Sequence, residues 1–482
     1  VIDYAIHAHC YQPPREDPFT GAILPERDAE PYANWNERIT TESYGPNAAA
    51  GNFDRLSFNL GGTLARWLAV HRTDVYARLV DADRRALLAD GVGNAIAQPV
   101  HHTILPLARR RDRRLQIRWG VASFEHRFGR PPRGAWLPEC AVDLETLECL
   151  HEAGLRFTIV SEEQLVDGPP VRNHAGPYRV RLGRGRSMAV YVRDRLLSNQ
   201  VAFDLPHILN RGDAGEWFRG ELARRAGVRA GVRGARLVLI ASDGETFGHH
   251  HRGGVEFLAD LLAAGDGEGA GAGDGAVRRV TLTAHLRDHP PRSEVRLREY
   301  SAWSCGHDLA RWVTGCECTP GDSRWKGALR RALDNLAAEL DGLYQGEAQA
   351  AGAEPWSLAE DYIAVELGQL DGPRFLQARG LGGLRTARAG RLLQLLRAGF
   401  HRQRMFTSCA FFFEDLTRGE PRLALANAAF AIHLVQQATG VDLGPAFRSD
   451  LVHAVSVRTG IHGSELYEAV RLEGLERLAS GR

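Results

Sequence analysis

A chain of 482 residues, 44% hydrophobic and 25% charged, has the composition of an ordinary globular protein, with length for two or three domains and a large core. Lys plus Arg number 60 against 59 Asp plus Glu, and the arginines are spread along the chain, so no net field recruits nucleic acid or an acidic membrane surface. No apolar run approaches the roughly 20 residues that span a bilayer, and 7 cysteines are odd in number and too few for a disulfide framework. A reducing, cytoplasmic location is expected, without nucleic-acid or membrane partners, and the opening VIDYAIHAHC reads as a strand instead of a signal peptide.

Taken in order, residues 2–6 form a short apolar strand that runs into His7-Ala8-His9-Cys10-Tyr11-Gln12-Pro13. On a strand, His7 and His9 point the same way and suit one pocket. Residues 16–45, rich in Pro, Asn, Trp and Tyr, carry little periodicity, and a long loop of that kind in a compact domain is usually functional. Residues 56–70 read as a first helix carrying Asn59 and Trp67. A strand at 94–97 ends in Gln98-Pro99-Val100-His101-His102, and Leu115, Ile117, Val121, Phe124 and Phe128 give 112–128 an amphipathic helical spacing.

Next, the stretch Gly134-Ala135-Trp136-Leu137-Pro138-Glu139 is a strand ending on a carboxylate, followed by a helix at 143–153 and a strand at 157–160. A strand at 188–192 leads into Arg193-Asp194, and a helix covers 215–226. The apolar strand 237–241 breaks directly into Ser242-Asp243-Gly244-Glu245-Thr246-Phe247-Gly248-His249-His250-His251, and a helix begins near 255. Repetition of strand, polar loop and helix favours a parallel α/β barrel or a doubly wound sheet. Residues 263–276 are Gly, Ala and acid, which reads as a flexible insertion, and 280–282 resumes strand character. Beyond 299 long helical patterns take over, at 324–342, 355–378, 384–404, 420–439 and 462–479. The expected division is an α/β domain at 1–294 and an α-helical domain at 295–482.

The suspicious residues stand at strand ends: His7 and His9, His101 and His102, Glu139, and Asp243 with Glu245. Parallel strands in a barrel bring such ends to one face however distant they are in sequence. Two carboxyl groups there, one ionised as nucleophile and one protonated as acid, are what a retaining glycosidase requires, with nearby Trp and Tyr rings as sugar-stacking faces. Asp-Gly is also a common surface turn, but an apolar strand running directly into two carboxylates and a Gly-His-His-His run argues against that reading.

The ordered set His7-x-His9 with Gln12-Pro13, then Trp136-Leu137-Pro138-Glu139, then Asp243-Gly244-Glu245-Thr246-Phe247-Gly248-His249 resembles the motif regions of glycoside hydrolase family 57, the α-amylase, 4-α-glucanotransferase and branching-enzyme family, over about the first 290 residues. The later half, with Ser304-Cys305-Gly306-His307 and Met405-Phe406-Thr407-Ser408-Cys409, resembles the uncharacterised helical domain that accompanies one branch of that family. The resemblance implies a (β/α)7 barrel followed by a mainly α-helical domain, with Glu139 as nucleophile and Asp243 as general acid/base. It implies an α-glucan or oligosaccharide substrate and neither a metal nor another cofactor. His7, His9, Gln12, His102, Trp136, Glu245, His249 and Trp303 are the expected substrate-binding set, with Glu245 orienting a histidine, His249 tuning Asp243 and Trp303 closing the cleft. A packed strand-end histidine is an equal reading for His7 and His101, and core packing for Trp303. Here Cys10-Tyr11 stands between His9 and Gln12-Pro13, a departure from better-studied members.

Two other classes compete. A metal-dependent hydrolase of the polysaccharide deacetylase or mannosidase type could use His7, His9, Asp243, His249 and His250 as ligands, but would leave Glu139 without a role. A non-catalytic carbohydrate-binding module would not need a protonated carboxyl opposite an ionised one. Separately, Cys305, His307, Cys316 and Cys318 have the ligand types of a structural Zn²⁺ site, though Cys-x-Cys is tighter than usual, and free buried thiols are the favoured reading.

Overall fold

A computed structural model describes residues 2–168, 176–210, 212–227, 236–264 and 277–481. They pack as two units, one made of Val1–Gln12, Pro25–Pro99 and Phe124–Trp303, the other of Pro13–Leu24, Val100–Ser123 and Ser304–Arg482. The division expected at 294/295 therefore lies at 303/304, and two early segments join the helical unit. Their anchors are there: Phe19 packs on Phe430 with ring centroids 4.9 Å apart, Arg477 pairs with Asp17 at 2.7 Å, and buried Arg402 pairs with Asp112 at 2.9 Å.

The first unit holds nine strands among its described residues: β1 (Ile2–Cys10), β2 (Ser57–Leu60), β3 (Ala95–Ile96), β4 (Gly134–Ala135), β5 (Phe157–Ser161), β6 (Tyr178–Arg181), β7 (Ser187–Arg193), β8 (Arg236–Asp243) and β9 (Val277–Arg279). One path runs β3-β2-β1-β8 and the other β4-β5-β7-β6. A parallel bridge from Ala97 to Ala135 joins β3 to β4, and the Asp194 N–H donating to the Leu239 carbonyl at 2.8 Å joins β7 to β8. The ring β1-β2-β3-β4-β5-β7-β8 thus closes as the seven parallel strands of a (β/α)7 barrel, with β6 an antiparallel flap on β7. Its interior is filled on strand parity: Leu237, Leu239 and Ala241 of β8, Ala189 and Tyr191 of β7, Phe157 and Ile159 of β5, and Ala5 of β1 form one buried cluster.

Two expectations change. Residues 57–60 form strand β2, with the helix confined to Gly62–His71, because alternation of Leu56, Phe58 and Leu60 with Ser57 and Asn59 is a period of two. The strand expected at 280–282 is instead β9, which pairs with the start of β1, and Leu282 already opens the helix Leu282–Asp288. From residue 265 on, the expected insertion at 263–276 lies outside the described residues.

The second unit is helical: Trp325–Ala350, Pro355–Asp361, Ile363–Glu366, Gly372–Ala378, Thr386–Arg404, Gly419–Thr439, Gly444–Leu451 and Gly463–Ser480. Residues 355–378, expected as one helix, are three, since Gly368 takes φ 70° and Asp371 caps a new start by accepting from the Arg374 N–H at 2.8 Å. Gly419–Thr439 is buried over most of its length by small residues and packs against Thr386–Arg404 and Gly463–Ser480. No helix of the described residues is long and apolar enough to cross a membrane.

Candidate active site

Asp243 continues the inward parity of Leu237, Leu239 and Ala241, and the register sets it beside His9 of β1. Immediately after it the backbone passes β1 so closely that a Cβ on Gly244 would lie 2.8 Å from Cys10 Sγ, so any larger residue there would have to displace that thiol. The turn Gly244–Thr246 then carries Glu245 to other partners: its Oε1 accepts from Gln12 Nε2 at 2.8 Å and from the Tyr44 hydroxyl. Burial raises the Glu245 carboxyl to about 7, with the Tyr44 and Gln12 donors holding it down. At Asp243, burial and then the negative charges of Glu245 and Glu139 push the pKa well above the usual carboxylate range, against the opposing pull of Arg193. Each of these effects except Arg193 favours the protonated carboxyl.

Glu139 is presented differently. It and Cys140 both take left-handed backbone, at φ 58° and 49°, a pair of conformations that costs non-glycine residues on the order of 1 kcal/mol or more each. Hydrogen bonds hold the turn: Trp303 N–H donates to the Glu139 carbonyl at 3.0 Å, Cys140 N–H to that of Leu137 at 2.8 Å, and Gln164 Nε2 to that of Cys140 at 2.7 Å. The carboxylate accepts from the Trp303 indole Nε1 at 3.1 Å. Over that indole lies the Arg193 guanidinium, 4.8 Å from the ring centroid, buried and donating to Ser161 Oγ at 3.0 Å. Burial pulls Arg193 below its ordinary pKa, while Glu163 and Asp243 among its neighbours pull it up.

The β1–β2 wall is neutral. Asn59, opposite His9 in the register, accepts from His7 Nε2 at 3.0 Å through Oδ1, and its amide group donates to His9 Nδ1 at 2.9 Å and to Gln98 Oε1. That assignment places the proton on Nε2 of both imidazoles. Burial brings His7 down to about 3 and His9 to about 4, so both are uncharged at neutral pH. Trp136, fully buried, stacks on both, at 5.1 Å from His7 and 4.9 Å from His9, and meets Trp303 edge-on at 5.0 Å.

Within the first unit, Glu139, Asp243, His7, His9, Gln12, Glu245, Trp136 and Trp303 form linked networks, with changed parts. Trp136 supports the two histidines; as a fully buried ring it offers no sugar-stacking face. Gln12 is spent on Glu245, and Glu245 is oriented by Gln12 and Tyr44, where a histidine was expected. His249 hydrogen-bonds Glu42 through Nδ1 and meets Trp35 edge-on at 5.9 Å, where a contact with Asp243 was expected. His102 belongs to the second unit, where its Nδ1 lies 2.7 Å from Ser408 Oγ, and His101 there packs between Trp119 and Phe400. The imidazole and carboxylate donors of the metal-hydrolase reading do not gather: among the described residues, the groups that could hold an ion are Cys305, His307, Cys316 and Cys318, and Asp3, His285 and His289.

Arg193 was not singled out, although the parity Ala189, Tyr191, Arg193 points it inward. Asn59 was hidden by the helical reading of β2. Tyr44 and Glu42 come from the aperiodic stretch expected to be functional, and no local spacing marks them.

A parallel barrel carrying two carboxyl groups at its strand ends, one of them pushed toward its protonated form, is the architecture of a two-carboxylate glycosidase. The sequence model of glycosyl hydrolase family 57 matches residues 30–298, more than half of the chain, and the protein belongs to that family. A domain of unknown function, DUF3536, matches residues 322–476. A 1,4-α-glucan branching enzyme of Thermococcus kodakarensis is 32% identical over 164 residues, 28% of this chain but 23% of that enzyme's length. In fold the protein is similar to an exo-type maltose-forming amylase from Pyrococcus sp. ST04, with TM-score 0.70 and 15% identity over 98% of this chain and 88% of the other. It is also similar to a branching enzyme from Pyrococcus horikoshii, with TM-score 0.60 and 17% identity over 98% and 94%.

Proposed function

We propose that the protein is a retaining glycoside hydrolase or transglycosylase acting on α-glucans, with Glu139 as nucleophile and Asp243 as general acid/base. The observation that carries this reading is the opposite treatment of two carboxyl groups that feel each other's charge: Glu139 accepts an indole N–H, while Asp243 is driven to its neutral form partly by Glu139 itself. Attack by Glu139 on the anomeric carbon, with Asp243 giving its proton to the leaving oxygen, forms a glycosyl-enzyme. The proton lost, Asp243 is the base that activates water or a sugar hydroxyl in the second step. Family membership and the α-glucan-active relatives support the substrate class. Among the described residues no two cysteines are joined by a disulfide, which fits a reducing, cytoplasmic setting.

The test is product analysis with maltooligosaccharides and soluble glucan, with Glu139→Gln and Asp243→Asn alongside. Wild type should turn over with retained anomeric configuration, and each variant should lose at least about 10³-fold in kcat. The product ladder then separates hydrolysis from transfer and branching. Inert wild type, or a variant within about tenfold of it, would overturn the assignment.

A further inference from the structure

Outside the barrel site, the second unit gathers four potential metal ligands that none of this chemistry uses. Cys305, His307, Cys316 and Cys318 place their Sγ and imidazole nitrogen atoms all within 4.8 Å of one another. Cys305 Sγ and Cys316 Sγ are 3.7 Å apart, and Cys318 Sγ is 3.3 Å from His307 Nδ1. With Zn–S of about 2.3 Å and Zn–N of about 2.0–2.1 Å, a tetrahedron has S···S edges of about 3.75 Å and S···N edges of about 3.5 Å. Those two edges are met, and the widest separation has to shrink by at most about 1 Å, within the reach of side-chain rotation at the partly exposed Cys316 and Cys318 and exposed His307. A disulfide does not explain the pair, since its sulfurs would lie at about 2.05 Å.

The orientation of the imidazole is the second argument. His307 turns Nδ1 to the thiol of Cys318, and its other nitrogen, Nε2, lies 3.1 Å from Glu317 Oε1. A carboxylate on the far nitrogen fixes the proton there and leaves the near lone pair for a metal, the arrangement that accompanies histidine ligands of zinc. Of the four, only Cys305 is buried, which departs from the reading of these residues as free buried thiols. The ligands arrive as two x-spaced pairs, 305/307 and 316/318. The intervening turn is folded back through Asp308 and Leu309 at φ 49° and 65° and through Gly315, where a Cβ would lie 2.5 Å from Ser323 Cβ.

We propose that Cys305, His307, Cys316 and Cys318 form a Cys3His structural zinc site, closed by Glu317 on the histidine, that staples the chain segment directly following Trp303. All four protein positions are filled, so the ion keeps no open site for chemistry. Binding releases the thiol protons as the thiolates ligate the metal.

The experiment is metal analysis of the full chain expressed with added zinc and passed over a chelating resin, with Cys316→Ser, Cys318→Ser and His307→Gln compared. About one zinc per chain is expected in wild type and a loss of most of it in each variant, with a lower melting temperature. Refolding in Co²⁺ should produce thiolate-to-cobalt charge-transfer bands that each Cys variant weakens. If Cys316→Ser does not fold, His307→Gln, at an exposed position, carries the same expectation. Less than about 0.1 zinc per chain in wild type without cobalt–thiolate bands overturns the proposal, as does a Cys305–Cys316 disulfide found by thiol counting in denaturant.

Discussion

Two walls of the barrel mouth, one built on strand parity and the other partly on the left-handed turn at Glu139, end in different electrostatic states. On β1 and β2, His7, His9 and Asn59 satisfy one another, and burial leaves both imidazoles neutral. At the ends of β4, β7 and β8, Glu139, Arg193 and Asp243 act on one another, because each neighbour's charge changes what the next can hold. Burial contributes, since His7, His9 and Asn59 are buried while Glu139 and Asp243 are half-buried, but it does not decide the outcome alone. What differs is the partner: an amide that can donate to one ring and accept from the other stabilises neutral groups, whereas an arginine stabilises an ionised one.

The largest test of that contrast is Arg193→Met. Removing the cation should lower kcat on the order of 10²-fold or more, because a preorganised charge is lost from the site. Since Arg193 opposes the rise at Asp243, its loss raises that pKa further, and the alkaline limb of the kcat/KM profile should move to higher pH. An unmoved limb would separate Arg193 from Asp243 and break the account of the charged wall.

Trp303→Phe comes next. It deletes the indole N–H on Glu139 while keeping an aromatic ring, and a hydrogen bond to a charged group is worth about 1.5–3 kcal/mol, so a roughly 10- to 100-fold loss in kcat/KM is expected. The donor favours ionised Glu139, so without it the acidic limb should move up in pH. A change in KM alone would make Trp303 a binding residue only.

The smallest expected effect belongs to the neutral wall. The folded pKa values of His7 and His9, about 3 and about 4, lie below their ordinary 6.5. Between those limits the unfolded chain binds protons that the folded chain refuses, so their contribution to stability is full above 6.5 and is lost as pH falls. Glu245 and Asp243, with raised pKa values, act in the opposite sense, so the informative quantity is a difference. From pH 6 to pH 5, His7→Asn should gain on wild type by about 1 kcal/mol in urea unfolding. Parallel stability curves would show that His7 titrates freely and that the wall is not sealed.

How much of this was legible depends on range. Glu139, Asp243, His7 and His9 are legible because each comes at or just after the end of an apolar run, and parallel strands must deliver their carboxyl ends to one face. The helices at 143–153, 215–226 and 420–439 were likewise local patterns and appear within a residue or two. The alternation of β2 is local too, but it runs straight into the helix Gly62–His71, whose pattern extends over it and hides Asn59, the residue that makes the neutral wall neutral. Tyr44 on Glu245 and Glu42 on His249 join residues about two hundred positions apart, and no spacing in the chain announces such a pair.

By itself, then, the sequence determined which groups could do chemistry and on which side of each strand they lie, because side-chain type and strand parity are local properties. Only the tertiary structure decided which carboxyl is pushed toward its neutral form, which histidines are silent, and that four scattered zinc-type ligands meet, because pKa values and coordination depend on distances that a linear chain does not contain.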